Sequence, residues 1–264
     1  MNYSVYLYND ADCDLLLGHD HWVRCLAVVS NGMEILSGSY DNTMRRWSVH
    51  TGQCLQVYRG HSYIVYCVAE LRNGNVMSGS YESIKVWNRV TGECLQTLEG
   101  HTCAVFGITV CPNGDVVSAS GDGSLMVWRA ENAPSAPYVC RQTISSAHNS
   151  YVVYCIINVP HSDDLISGGG DNSVKVWHRE NPTADYSCVE TYQGHTRAVW
   201  SVAVMGNGNI VSSSYDKTVK VWSRETRACL YTLAGHTARV CGVAVLADGE
   251  LVSVSYDKTI KIWM

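Results

Sequence analysis

A glycine-histidine pair recurs along this chain of 264 residues, and a tryptophan follows each pair at 26 to 29 residues from the histidine. The pairs are Gly18-His19, Gly60-His61, Gly100-His101, Gly194-His195 and Gly235-His236, with Ala147-His148 standing fourth. Their tryptophans are Trp47, Trp87, Trp128, Trp177, Trp222 and Trp263. Successive histidines lie 42, 40, 47, 47 and 41 residues apart, so six units fill nearly the whole chain. A fixed period of this length means one supersecondary unit that buries its apolar face by stacking on copies of itself.

Each unit reads as strand throughout. In the fifth, Val199–Val204 is a short β-favouring run, and Asn207-Gly208 supplies a tight turn. Ile210–Ser214 follows as a second strand, and Thr218–Trp222 as a third that alternates toward its tryptophan. Outer strands such as Cys94–Leu98 lead to the next Gly-His pair. Four antiparallel strands per unit, repeated radially, is the blade arrangement of a β-propeller.

Over roughly residues 11–264 the chain resembles the WD-repeat (WD40) family, through six correctly spaced Gly-His to Trp units. It departs in one respect: Ser48, Asn88, Arg129, His178, Ser223 and Met264 follow the tryptophans, so the Trp-Asp dipeptide is absent. The expected fold is all-β, a single six-bladed propeller of four-stranded antiparallel blades. Its repeats are about 18–59, 60–99, 100–146, 147–193, 194–234 and 235–264. The last unit stops after its third strand, whereas Cys13–Leu17 aligns with the outer strands that precede the other pairs. Pairing segment 11–17 with the C-terminal strand would remove an open edge and complete the sixth blade. Tyr3, Val5 and Leu7 alternate and suggest a further short strand.

Each unit also carries a serine and an aspartate, which invites a nucleophilic-triad reading. A triad occurs once per enzyme, but this set recurs about six times. The resemblance instead implies a hydrogen-bonded ladder from turn aspartate to histidine to strand serine to tryptophan. Its acidic members are Asp41, Asp122, Asp171, Asp216 and Asp257, and its serines Ser37, Ser78, Ser118, Ser167, Ser212 and Ser253. The second unit has Tyr81-Glu82-Ser83-Ile84, one residue short with Glu for Asp, and a weaker ladder is expected there.

Neither catalytic residues, nor a cofactor, nor a metal site is expected. The twelve cysteines follow the repeat, Cys54, Cys94 and Cys229 on outer strands and Cys25, Cys67, Cys155 and Cys241 on inner ones. They read as small buried thiols rather than converging ligands. Gly168-Gly169-Gly170-Asp171 reads as an ordinary turn, lacking the Lys and Ser/Thr of a phosphate loop.

By resemblance, the third and fifth residues after each histidine (the fourth and sixth in the fourth unit, which has one extra residue) and the residue before each acidic turn residue share one rim. Nine of these eighteen positions are aromatic: Trp22, Tyr40, Tyr66, Tyr81, Phe106, Tyr154, Trp200, Tyr215 and Tyr256. Arg24 and Arg239 are their basic companions. Trp, Tyr and Arg dominate interface hot spots, so this rim is the expected docking face for a protein or peptide partner. Longer connections at 130–137 and 179–187, expected on the opposite rim, read as tolerated insertions, with a second docking site as the alternative.

A net charge of −5 without a basic tract speaks against nucleic acid as a partner. No run reaches the roughly 18 apolar residues of a membrane span, and Asp10, Asp12 and Asp14 are unlike a secretory leader. The expectation is an intracellular scaffold, cytoplasmic or nuclear, acting as a monomer or as a subunit of a larger complex. A substrate adaptor in a ubiquitin or signalling assembly is the alternative. An enzyme or small-molecule binder using the channel mouth would need a polar constellation that breaks the repeat.

Overall fold

The computed structural model describes residues 5–9, 12–29, 32–130 and 136–263. Every regular element among them is a strand. Repeat 1 forms a sequential antiparallel sheet of Val23–Val28, Glu34–Ser39, Met44–Ser48 and Cys54–Tyr58. Repeat 4 does the same with Val153–Asn158, Leu165–Gly169, Val174–His178 and Ser187–Tyr192. Repeat 5 follows with Val199–Val204, Ile210–Ser214, Thr218–Trp222 and Cys229–Ala234. Repeats 2 and 3 are joined in one seven-stranded sheet, because Cys94–Val110 runs on as a single strand from one repeat into the next.

The sixth sheet has three strands, Val240–Val245, Leu251–Ser255 and Ile260–Trp263. The fourth strand expected there from residues 13–17 is not described in that sheet. Asp12–Leu16 pairs with Val5–Asn9, the short N-terminal strand the alternation suggested. Tyr3, and residues 131–135 of the first long connection, lie outside the described residues.

The chain divides into two compact units: residues 1–110, 114–118 and 126–141, and residues 111–113, 119–125 and 142–264. In the first, Leu36, Met44 and Tyr58 of repeat 1 pack with Val65, Val68, Val76 and Trp87 of repeat 2. In the second, Ile166, Val174 and Tyr192 pack with Val199, Val202, Ile210 and Trp222. Second strands are buried along their whole length in Leu165–Gly169 and Ile210–Ser214. That explains their small and apolar composition: both faces are covered.

Two expectations need correction. Gly168 and Gly169 belong to a strand rather than a turn. A β-carbon on Gly168 would come within 2.6 Å of Val199 Cγ1 and 2.9 Å of Cys155 Sγ, and one on Gly169 would strike the His148 ring. These glycines permit close approach of neighbouring strands. Gly168→Ala is therefore expected to cost about 1–3 kcal/mol by overpacking, read as a lower urea midpoint at unchanged slope.

The cysteines also divide. Of the inner-strand thiols Cys67 is buried and Cys25, Cys155 and Cys241 are half-buried; burial pushes Cys25 and Cys155 up to about 12. Cys54, Cys94 and Cys229, however, are exposed; the strands of Cys54 and Cys229 stand last in their sheets. The eleven cysteines whose side chains are described are all free.

Candidate interaction surface

The expected rim positions flank, in sequence, the members of a hydrogen-bonded ladder. In repeat 5 the Trp222 indole N–H donates to Ser212 Oγ at 2.8 Å, and Ser212 lies 2.8 Å from His195 Nε2. His195 Nδ1 lies 2.7 Å from Asp216. The Asp216 carboxyl is held ionised and can only accept, so the proton between them sits on His195 Nδ1 and is donated to the carboxylate. Repeats 1, 4 and 6 repeat this geometry, with His–Asp distances of 2.7, 2.7 and 2.8 Å. In repeat 3, His101 and Trp128 meet Ser118 at 2.7 and 2.9 Å.

Each aspartate is clamped from its own turn. Thr43, Thr218 and Thr259 hydroxyls donate at 2.6 Å, and the backbone N–H after the histidine donates from Asp20, Thr196 and Thr237. Burial works to raise the Asp41 carboxyl, but bonds from Thr43 and His19 outweigh it and hold Asp41 at about 2. The Ser–His–Asp connectivity mimics a nucleophilic triad. Yet Ser212 is fully buried and its oxygen already accepts the indole N–H, so no substrate carbonyl can reach it.

Repeat 2 differs. Glu82 has φ 59°, matching Asn42 (66°), Lys217 (72°) and Lys258 (69°), the residues that follow the ladder aspartate elsewhere. Glu82 is therefore not a longer stand-in for aspartate; the chain skips the aspartate position. His61 keeps its bond to Ser78 at 2.7 Å, but its Nδ1 is buried with no hydrogen-bond partner.

Anchored on the ladder turns, the predicted rim residues gather within each unit. In the second unit they form one continuous stack. Tyr154 lies 4.3 Å from Trp200 at 29°, and Trp200 lies 4.8 Å from Tyr215 at 19°. The Arg239 guanidinium is 4.9 Å from the Tyr215 ring centre and 3.6 Å from that of Tyr256, and it donates to the Tyr215 hydroxyl at 3.1 Å. Burial pushes the Tyr154 and Tyr215 phenols up, whereas Tyr256 is 57% exposed. Planar faces held by one another lose little entropy when a ligand covers them.

In the first unit Trp22 meets Tyr40 edge-on at 5.3 Å, and Tyr66 meets Phe106 edge-on at 5.1 Å. Burial, and then the neighbouring Tyr40 phenol, raise Tyr66, while the charge of Arg24 opposes them. Tyr81 pairs with Tyr63 at 5.3 Å. Two participants went unpredicted: His21, stacked on Tyr40 at 5.4 Å, and Tyr63. Both stand two residues after a ladder histidine, a position the rim pattern skips.

A profile of the WD domain, G-beta repeat matches residues 13–48, 52–88, 92–129, 138–178, 186–223 and 227–264. The chain belongs to the WD40 family. Its WD40 fold also matches the crystal structure of the WD40 beta propeller domain of Doa1, with a TM-score of 0.81 at 21% identity over 99% of this chain and 85% of that one. The fold is thus a β-propeller carrying six WD repeats. WD repeat-containing protein pop1 of Schizosaccharomyces pombe is 25% identical over 198 residues, 75% of this chain and 20% of that protein. An F-box protein of Saccharomyces cerevisiae is 41% identical over 49 residues, 19% of this chain and 8% of that protein. The chain thus matches a fifth or less of these two relatives. Among the described residues no helix is long and apolar enough to cross a membrane.

Proposed function

We propose that this WD40 chain is a non-catalytic, intracellular scaffold that binds a peptide or partner domain through its aromatic rim. The supporting observation is the stack Tyr154–Trp200–Tyr215–Arg239–Tyr256, five residues from three successive repeats in one array. Aromatic faces and an arginine of this kind combine large contact area with polar handles, the composition of hot spots. The rim residues of the first unit carry the same chemistry.

A second reading, a substrate adaptor in a ubiquitin or signalling complex, is favoured by the similarity to the yeast F-box protein. It places the same rim in contact with the substrate.

The test is affinity capture followed by mass spectrometry, comparing wild type with Trp200→Ala and Tyr215→Ala. Proteins retained by the wild type are expected to be lost or bound at least about tenfold more weakly by both variants, with little change in melting. Equal capture by all three rejects this face.

A further inference from the structure

Repeat 2 holds a second feature that the aromatic stack does not use. Around His61 opens a cleft of about 530 Å³, lined also by Ser62, Ser83, Lys85, Glu82 and Glu99. In repeats 1, 5 and 6 the equivalents of three of these hold the ladder aspartate. They are the histidine Nδ1–H, the backbone N–H of the next residue and the hydroxyl two residues after the aspartate. In repeat 2 the chain supplies the donors, His61, Ser62 and Ser83, but no aspartate.

His61 Nδ1 is consequently a buried ring nitrogen without a hydrogen-bond partner, and it presents an N–H to an acceptor when Ser78 donates to Nε2. Such a group is costly until it is satisfied. Glu82 sits in the left-handed position that follows the missing residue and is exposed, so its side chain does not fill the gap.

We propose that this cleft is a carboxylate-binding site, in which an acidic side chain of a bound polypeptide takes the place of the missing ladder aspartate. The donor set selects an acceptor, and a charged one makes the stronger bonds. Lys85 adds a positive charge near enough to disfavour protonation of His61. Glu82 and Glu99 oppose an anion, but both are exposed, where water screens them. Tyr63 and Tyr81, 59% and 40% exposed, also line the cleft and give an incoming chain an aromatic surface. The polypeptide source rests on the proposed scaffold function. The cleft itself can be tested without one.

The probe is sodium acetate, added to protein carrying ¹⁵N-labelled histidine, with acetamide as neutral control and ionic strength held constant with chloride. The His61 ring resonances are expected to shift along a saturating curve with acetate and to ignore acetamide, while the other ladder histidines stay fixed. A repaired variant, Glu82→Asp with one asparagine inserted after it, restores the turn length of Tyr40-Asp41-Asn42-Thr43. It should melt higher than the wild type and lose the acetate response entirely. Unmoved His61 resonances, an equal response to acetamide, or a repaired variant that still responds would each overturn the proposal. Because no polypeptide enters the titration, failure here is distinguishable from failure at the aromatic stack.

Discussion

Trp222→Ala is expected to destabilise the protein by about 4 kcal/mol and to lower its melting temperature by roughly 10 °C. The indole is 1% exposed, packs against Tyr192 at 5.8 Å and His195 at 5.9 Å, and lies beneath Gly194. Its removal leaves a cavity at the junction of two sheets and takes one bond from Ser212. Ser212→Ala creates no large void but strands both the Trp222 N–H and one nitrogen of His195. Its expected cost is smaller, about 2–3 kcal/mol. Because both changes break the same Trp222–Ser212 bond, the double variant should cost less than the sum of the two. Strict additivity in thermal or urea unfolding would mean that the ladder is a set of separate contacts rather than a coupled network.

The ladder was legible through the resemblance to WD repeats, because its members recur within a few residues of the same distance from each histidine, and a unit repeated six times leaves little freedom in pairing strands. Several of the aromatic positions picked by the same resemblance meet as ring pairs. What periodicity could not supply is whatever breaks the repeat or crosses it. Glu82 aligns with the aspartates by letter, and only its backbone angle places it one position further on. Gly168 resembles turn chemistry until the approach of Val199 accounts for it. Glu34 accepts from Arg46 of its own repeat at 2.8 Å and from Arg89 of the next at 2.7 Å, and Arg89 also reaches Glu70 at 3.2 Å. In the second unit Asp164 likewise joins His178 and Arg224, at 2.7 and 2.8 Å. Such bridges join residues up to 60 apart with no common offset, so the pattern that revealed the strands is silent about them.

Acid is expected to weaken the protein in two separate windows, and the upper one belongs to His61. Burial first, and the charge of Lys85 second, lower this histidine from 6.5 to about 4. The unfolded chain therefore takes up a proton between those values that the folded chain refuses. The His61 contribution is complete above pH 6.5 and drains away as the pH falls to about 4, a loss on the order of 3 kcal/mol. His19 and His148 are also lowered, burial outweighing their bonds to aspartate, and act with the same sign. The lower window belongs to the clamped carboxylates. Asp41 contributes fully above 3.8 and loses its share as the pH falls toward about 2. Urea unfolding across the upper window, on wild type and on the variant with the restored Asp-Asn turn, isolates His61. An aspartate beside Nδ1 favours the imidazolium, so the variant should lose less stability in acid than the wild type. Parallel stability curves for the two proteins would show that His61 is not the group that titrates.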